Sequence, residues 1–209
     1  MWKRGCAFVL SLSLGAVSGL PAFAEQGTTP TKTGGVTFAA DTTVFDRNVR
    51  VAGGLAVDGT VTCKVLTILG GMDVAEPVPV AADNLAGIGP GYVLSIDPEH
   101  PGSFLLASEP YDPKVAGVVS GANGIAPGLQ LHTETEASPH LLAIAGRIYV
   151  RATAENGRIV PGSRLTTSHI PGVAMKATDP LRVSGSIIGK AMTALNAGEG
   201  WVLMLVQPQ

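Results

Sequence analysis

Residues 50–67 have the sequence RVAGGLAVDGTVTCKVLT, and their alternation of side-chain types constrains the fold more than any other feature. Small or polar residues fill the even positions, whereas apolar residues recur at odd positions. Such alternation is typical of a β-strand that turns one face towards apolar surroundings. The odd-numbered apolar residues, which we call the apolar row, are Val49, Val51, Leu55, Val57, Val61, Cys63 and Val65.

The apolar row falls into units of six residues, RVAGGL, AVDGTV and TCKVLT. This repeat predicts short stacked strands over residues 36–70, as in a β-solenoid or a stalk, with an ordinary β-meander as an open alternative. Stacked repeats need about three or more units for a self-sufficient core. We therefore expect copies of the same chain to cover the row in a homotrimer, with an interface formed by Val51, Leu55, Val57, Val61, Cys63 and Val65.

The first 24 residues have the layout of a secretory signal peptide. Lys3 and Arg4 precede an apolar run, which Pro21 ends just before an Ala-Phe-Ala cleavage site. The run is short for a membrane span of about 20 residues, which argues against the alternative of an uncleaved anchor. We predict cleavage after Ala24, a secreted, periplasmic or cell-surface location, and no membrane insertion of the mature chain. The polar residues 25–35 are predicted to form a flexible linker.

Charge and cysteine content limit the possible partners. Removal of the signal peptide lowers the formal net charge from −2 to about −4, which argues against a nucleic-acid partner. Only Cys63 then remains, so an intramolecular disulfide is excluded. Because Cys63 belongs to the apolar row, we expect it to be buried.

The rest of the chain predicts a hinge and then an all-β domain. Prolines at positions 77, 79 and 90 discourage strands in residues 71–90, which we interpret as the hinge. Residues 91–209 contain short apolar runs separated by turn residues, typical of a β-barrel or a sandwich. Five Pro-Gly pairs predict type II turns, and two Asn-Gly pairs predict hairpin turns. The predicted strands are Tyr92–Ile96, Phe104–Ala107, Val115–Val119, Ala143–Thr153, Ile187–Ala191 and Trp201–Val206.

Two of these strands have informative patterns. The run WVLMLV, beginning at Trp201, predicts a strand covered on both faces with the tryptophan in the core. In Ala143–Thr153, one predicted face is apolar and the other carries Arg147, Tyr149 and Arg151. The predicted core face of that strand consists of Ile144, Ile148, Val150 and Ala152.

No residue pattern predicts catalysis, a metal site or a cofactor. The four histidines lack close spacing, and we interpret His132, Glu134 and Glu136 as part of a solvated loop. Ser120 and Ser163 are not in a nucleophile elbow. Close carboxylates in the segments DPE (97–99) and EPYD (109–112) could support acid–base chemistry. The Asp-Pro pairs at 97, 112 and 179 are also ordinary turn openers, and we favour that interpretation.

An exposed aromatic residue could bind a sugar. Tyr149 is the best-placed aromatic side chain, because it is predicted on the polar face of its strand between Arg147 and Arg151. These three residues are the candidate ligand-binding residues.

Three parts of the chain together resemble a known group of proteins. They are VLTILGGMDVAEP, PYDPKVAGVVSGANGIAPG, and AGRIYVRATAENGRIVPGSRLTTSHIPGVAMKATDP together with SGSIIGKAMTALNAGEGWVLMLV. These segments resemble bacterial and phage proteins with a tail-fibre-like stalk and a C-terminal β domain. That domain is similar to the peptidase G2 domain, an intramolecular chaperone that cleaves itself from phage neck-appendage proteins. The similarity spans residues 45–207.

The resemblance implies a trimeric, appendage-like architecture. Self-cleavage is not carried over, because no catalytic acidic residue of that group is matched to a position of this chain. We therefore expect an exported, non-enzymatic structural or interaction module. A self-processing domain or its relic and a carbohydrate-binding module are the alternatives.

Overall fold

The structure is a computed structural model of a single chain, and it describes residues 45, 47–80, 87–131 and 140–207. The predicted signal peptide and linker lie outside the described residues, as does the segment 132–139. The chain divides into two units, residues 1–62 and 63–209. All the strands found in the described residues belong to the second unit.

The described part of the second unit is all-β, as the sequence predicts. It contains ten strands, one turn of 3-10 helix at Ala122–Gly124 and no α-helix among the described residues. The strands are β1 (Asp73–Pro77), β2 (Val93–Ile96), β3 (Phe104–Leu106), β4 (Val115–Val119), β5 (Leu129–Gln130), β6 (Leu141–Thr153), β7 (Arg164–Thr167), β8 (Ala174–Lys176), β9 (Ile187–Ala191) and β10 (Glu199–Val206).

Five of the strands close into a barrel. Their order around the barrel is β6, β10, β9, β7 and β8, and β8 pairs again with β6 to complete the circle. Of the two predicted architectures, barrel and sandwich, the chain therefore adopts the closed barrel. Closure removes the free edges that would otherwise be exposed for pairing with other chains.

Strand β6 continues beyond the barrel and organises the remaining strands. Residues 146–153 pair with β10 inside the barrel, whereas residues 141–146 pair with β1. The other edge of this part of β6 pairs with β4. Strand β4 pairs in turn with β2, and β2 pairs with β3. In the opposite direction, β5 pairs with the outer edge of β1. Gly146 stands where the two halves meet, with φ of 108°, and a Cβ there would lie 2.4 Å from the Met72 carbonyl oxygen.

The long strand confirms the predicted face pattern within the barrel. Ile148, Val150 and Ala152 are buried, and Arg147 is exposed. Ile144 was predicted to share the buried face, and that prediction is wrong because its side chain is 38% exposed. The pairing of β6 with β1 shifts register between Val74 and Ala75. This irregularity reverses which alternate positions of β6 are buried.

Two apolar clusters fill the interior of the second unit. The larger fills the barrel, where Ile148, Val150, Leu165, Ile188 and Met204 are buried, and it extends to Val93 on β2 and Val118 on β4. The smaller lies beneath the strands outside the barrel, and its buried residues are Val78, Leu94, Val119 and Leu142.

The predicted hinge over residues 71–90 needs correction. Asp73–Pro77 forms strand β1, with Asp73, Ala75 and Pro77 buried and the intervening residues partly buried. Val80 then forms a bridge with Phe104. Pro77 is compatible with this arrangement because it ends the strand. Residues 73–80 thus belong to the sheet, and residues 81–86 lie outside the described part.

Four of the predicted type II turns have the expected glycine geometry. Gly91, Gly102, Gly162 and Gly172 have positive φ, which the third turn position requires. Gly128 does not have a positive φ. It lies beside β1 instead, and its N–H donates a 2.8 Å hydrogen bond to the Asp73 carbonyl oxygen.

The two predicted Asn-Gly hairpins are wrong. Asn123 and Gly124 both have positive φ, but they lie in the 3-10 turn between β4 and β5, which do not pair with each other. In the other turn, Gly157 donates to the Ala154 carbonyl oxygen at 3.0 Å, so Asn156 and Gly157 occupy its third and fourth positions. The neighbouring strand β6 pairs with β10 and β8, and no hairpin partner follows it directly.

Candidate functional site

The outer side of the barrel carries a mixed row of aromatic, aliphatic and cationic side chains. Across β6 and β10, Arg147 stands opposite Leu205, Tyr149 opposite Leu203, and Arg151 opposite Trp201. Lys190 on β9 stands on the other side of Leu205. Because directly opposed residues in antiparallel strands project on the same face, these side chains form one surface. We call it the outer face, and its members are Arg147, Tyr149, Arg151, Lys190, Trp201, Leu203 and Leu205.

The outer face is accessible to solvent. Trp201 is 42% exposed and Leu205 is 44% exposed, whereas Val202, Met204 and Val206 on the opposite side of the same strand are buried. The prediction that WVLMLV is covered on both faces, with the tryptophan in the core, is therefore wrong. The strand alternates because its inner residues alone fill the barrel.

The Trp201 ring is held against the backbone of a neighbouring loop. Gly91 lies against the edge of the ring with φ of 84°, and a Cβ at this position would lie 2.3 Å from Trp201 Cζ3. Only glycine permits this approach. The Gly91 carbonyl oxygen accepts a 2.9 Å hydrogen bond from the Arg151 backbone N–H, so the glycine is itself anchored to β6.

Arg151 is fixed by three contacts. Its guanidinium donates a 2.5 Å hydrogen bond to the Tyr92 hydroxyl and lies 5.1 Å from the centroid of that ring. It also forms an ion pair with Glu199 at 3.6 Å. The Tyr92 ring is in turn close to Gly172, where an added Cβ would lie 2.1 Å from Cδ1. The Arg151 side chain, which the sequence predicts on the polar face of its strand, is therefore partly buried and held by its neighbours.

The structure brings together the three residues that the sequence selected. Tyr149 is partly buried between Arg147 and Arg151 on one side of β6. The sequence missed Tyr92 and Trp201 as neighbours of this group. Tyr92 approaches from a loop that is distant in sequence, and Trp201 was concealed within a continuous apolar run.

A buried carboxyl group lies at the start of β1. Asp73 is 4% exposed, and neither carboxyl oxygen has a hydrogen-bond partner of ordinary geometry among the described residues. Burial raises its pKa, and the nearby Ser120 hydroxyl lowers it in part. Within the described residues, the Ser120 hydroxyl is also buried and has no hydrogen-bond partner of ordinary geometry. Sequence reasoning considered Ser120 as a nucleophile, without Asp73; neither group reaches the surface.

The close carboxylates adopt the turn geometry that the sequence favoured. Asp97 Oδ1 accepts from the backbone N–H of Glu99 at 2.9 Å, and Asp112 Oδ1 accepts from that of Lys114 at 2.9 Å. Asp179 Oδ1 accepts from the Leu181 N–H at the same distance. All three Asp-Pro pairs therefore open turns, as predicted.

Further side-chain contacts complete two of these turns. The His100 ring contacts Asp97 at 2.9 Å and lowers the pKa of that carboxyl group. Lys114 Nζ lies 2.8 Å from Asp112 and 3.3 Å from Glu109, and the hydrogen bond to Asp112 raises the pKa of the lysine. The carboxylates are thus occupied by partners within the turn.

The apolar row is exposed in the single chain. Residues 47–70 form no strand, so the predicted stacked strands are not formed in this part of the monomer. Cys63 is exposed rather than buried, which corrects the expectation for an isolated chain. The apolar side chains that are left exposed between residues 45 and 69 are Phe45, Val49, Val51, Leu55, Val57, Val61, Val65, Leu66, Ile68 and Leu69.

Within the described residues, no group of three or more histidine, cysteine, aspartate or glutamate side chains could hold a metal ion. No helix in the same residues has the length and apolar character needed to span a membrane. His132, Glu134 and Glu136, which we interpret from the sequence as part of a solvated loop, lie outside the described residues.

Comparison with protein-family models gives no match for the chain, and comparison with curated proteins gives none either.

Proposed function

We propose that the chain is an exported, non-enzymatic structural and interaction module that assembles as a homotrimer through the apolar row. One observation carries the proposal, which is the exposure of the apolar side chains between residues 45 and 69. Soluble monomers rarely leave a continuous apolar segment uncovered, and such segments mark interaction sites. The backbone of residues 47–70 forms no strand pairs in the single chain, so its N–H and C=O groups are available to another chain.

A threefold arrangement suits this segment. Three equivalent rows would each face two others, which buries all three and closes the strand edges against further addition. The hydrophobic contribution is roughly 25 cal/mol per Å² of apolar surface that is removed from water. Cys63 would then become buried among its symmetry mates, as its place in the row predicts.

The oligomeric state of the mature chain, residues 25–209, tests the proposal. Light scattering at micromolar concentration is expected to give three times the mass of one chain. The Val57→Asp variant is expected to be monomeric, because a trimer would bury three unpaired carboxylates at one level. Thr60→Asp places the same charge at an even position of the same segment and is expected to remain trimeric. A monomeric wild-type chain whose residues 45–69 resist proteolysis would refute the trimer.

One observation favours the self-processing alternative. The Asp73 carboxyl group is buried and its pKa is raised, and a raised pKa keeps a carboxylic acid protonated for proton donation. Intact-mass measurement of the purified chain over several days separates the two functions. A defined fragment in the wild-type chain that is absent from Asp73→Asn would support self-processing, and an unchanged mass in both would exclude it.

A further inference from the structure

We infer that the outer face is a binding site for an acidic saccharide, in which the sugar stacks on Trp201 and its carboxylates pair with Arg147 and Lys190. The inference concerns the barrel alone and does not depend on assembly through the apolar row.

The aromatic platform is preorganised. Trp201 is 42% exposed, yet the far edge of its ring is in close contact with Gly91, which restricts the orientation of the indole. A ring that is already fixed loses little conformational entropy when a ligand stacks on it. The face of an indole carries negative electrostatic potential, which suits the C–H groups on the flat side of a sugar ring.

Polar groups lie beside the platform and are able to bind the hydroxyl groups of a sugar that stacks on it. Arg151 is held beside Trp201 by Tyr92 and by Glu199. Glu199 can accept hydrogen bonds from hydroxyl groups, and Arg151 can donate them, because its guanidinium has five N–H donors. Neither side chain needs to reorganise before binding.

The charge of the outer face favours an acidic saccharide over a neutral one. Arg147 and Lys190 are exposed on either side of Leu205, and neither forms an ion pair within the described residues. The nearest acidic group named on this face, Glu199, is paired with Arg151. The outer face is therefore locally cationic on a chain that is acidic overall, and arginine binds carboxylates in a bidentate manner.

The length of the face suits an extended oligomer. Arg147 and Arg151 are four residues apart on one strand, which corresponds to about 13 Å at the usual rise per residue. Leu203 and Leu205 continue the apolar strip from Trp201 between β6 and β9. A chain of several sugar units can thus contact the indole at one end and the unpaired cations at the other.

Calorimetry with two matched oligosaccharides tests the inference. A β-linked mannuronate oligosaccharide is expected to bind, whereas a β-linked mannose oligosaccharide of the same length is expected to bind at least about tenfold more weakly, which is about 1.4 kcal/mol. Added salt should reduce the difference, because exposed charges are screened. Equal binding of the two oligosaccharides would overturn the acidic specificity, and the absence of binding at millimolar concentration of either would overturn the site.

Variants separate the stacking contribution from the charge contribution. Trp201→Ala is expected to weaken mannuronate binding by about tenfold or more, as central aromatic contacts do. Arg147→Gln and Lys190→Gln are exposed changes that preserve the fold, and each is expected to weaken mannuronate binding but not mannose binding. Arg50→Gln removes an exposed cation from the segment 47–70, which contributes no residue to the outer face, and serves as the control, with unchanged binding expected.

Two other occupants of the outer face give distinct results. If polyglutamate binds as tightly as the mannuronate oligosaccharide and Trp201→Ala does not alter either affinity, the face attracts polyanions without recognising sugar, and the inference fails. If Leu205→Asp lowers the mass measured by light scattering, the face is an interface between copies, and the inference fails as well. Unchanged binding per chain in monomeric Val57→Asp would show that the site is independent of the proposed trimer.

Discussion

The backbone N–H of Thr178 donates a 2.7 Å hydrogen bond to the hydroxyl oxygen of Tyr111, which lies 67 residues earlier in the chain. The same oxygen accepts from the Asp179 N–H at 2.9 Å and from Asn156 Nδ2 at 3.2 Å. The Arg182 guanidinium lies 4.7 Å from the centroid of the ring. Tyr111 also has a positive φ of 56°, which is uncommon for a residue with a side chain. One buried phenol therefore joins its own loop, between β3 and β4, to two loops of the barrel.

Tyr111→Phe is expected to lower the free energy of unfolding by about 1–3 kcal/mol, because it leaves backbone N–H groups without an acceptor. Urea titration measures the loss. Tyr149→Phe removes a hydroxyl from the outer face and is expected to cost less than about 0.5 kcal/mol. An equal effect of the two substitutions would show that the Tyr111 hydroxyl is not a structural acceptor.

The ionisation of Tyr111 gives an independent measurement. Burial raises the pKa of Tyr111, but the hydrogen bonds to its oxygen outweigh burial and hold the pKa below the usual 10.0. An ultraviolet titration of the mature chain should therefore show one tyrosine that ionises early. That component should disappear in Tyr111→Phe and persist in Tyr149→Phe.

Ile148 and Arg147 are neighbours on β6 and test its register. Ile148→Ala is expected to cost about 2–5 kcal/mol, because the side chain is buried inside the barrel. Arg147→Ala is expected to cost less than about 1 kcal/mol, because the side chain is exposed. Arg151→Ala should lie between them, since it removes the contacts with Tyr92 and Glu199. Equal losses for Ile148 and Arg147 in a denaturant titration would contradict the register.

Strand β6 also shows how far sequence reasoning reaches. Its alternation is long enough to identify the strand and its buried face. Turn residues such as Asp97 and Asp112 were likewise predicted from short-range sequence patterns. The alternation fails at Ile144, because the register shift arises from pairing with β1, a strand that its prolines concealed. A local pattern therefore predicts the buried face of a strand only where the pairing with neighbouring strands has no register shift.

The sequence predicted only some of the residues of the outer face, for a related reason. Arg147, Tyr149 and Arg151 follow from the period of one strand, whereas Trp201 and Tyr92 join them through pairing and loop placement. A continuous apolar run such as WVLMLV does not reveal which face is covered. The closure of the barrel determines which face is covered, and closure depends on the pairing of five strands rather than on one.

Asp112 predicts an acid-sensitive contribution to stability. Burial raises its pKa, but the side chain of Lys114 and its backbone N–H, among other groups, outweigh burial and hold the pKa below 3.8. A lowered pKa means that the carboxylate stabilises the fold above the unfolded value and that this stability is lost as the pH falls through the folded value. Asp112→Asn should therefore be less stable than the wild type at pH 7. The difference should vanish well below pH 3.8 in a series of denaturant titrations.

Asp73 predicts the opposite dependence. Its pKa is raised by burial, so the folded state holds the proton above pH 3.8, and the carboxyl group destabilises the fold as the pH rises through the folded value. Asp73→Asn is expected to be more stable than the wild type at pH 8 and to lose this advantage as the pH falls towards 3.8. Asp58→Asn, at an exposed position, is the control. A constant difference across the pH range would show that the carboxyl group does not titrate in the folded state.

The approach of Trp201 to Gly91 gives the last prediction, and the chain provides a matched control. Gly91 and Gly102 have nearly equal positive φ, 84° and 85°, so substitution by alanine imposes similar backbone strain at both. An added Cβ at Gly91 would lie 2.3 Å from the indole, whereas one at Gly102 would meet nothing within 4 Å. Gly91→Ala should therefore displace the ring. Trp201 is the only tryptophan after removal of the signal peptide, so its fluorescence reports the displacement directly. We expect a red-shifted emission and stronger quenching by iodide in Gly91→Ala, with no change in Gly102→Ala. Identical spectra in the two variants would mean that the indole does not rest on Gly91, and the preorganised platform of the outer face would be lost with it.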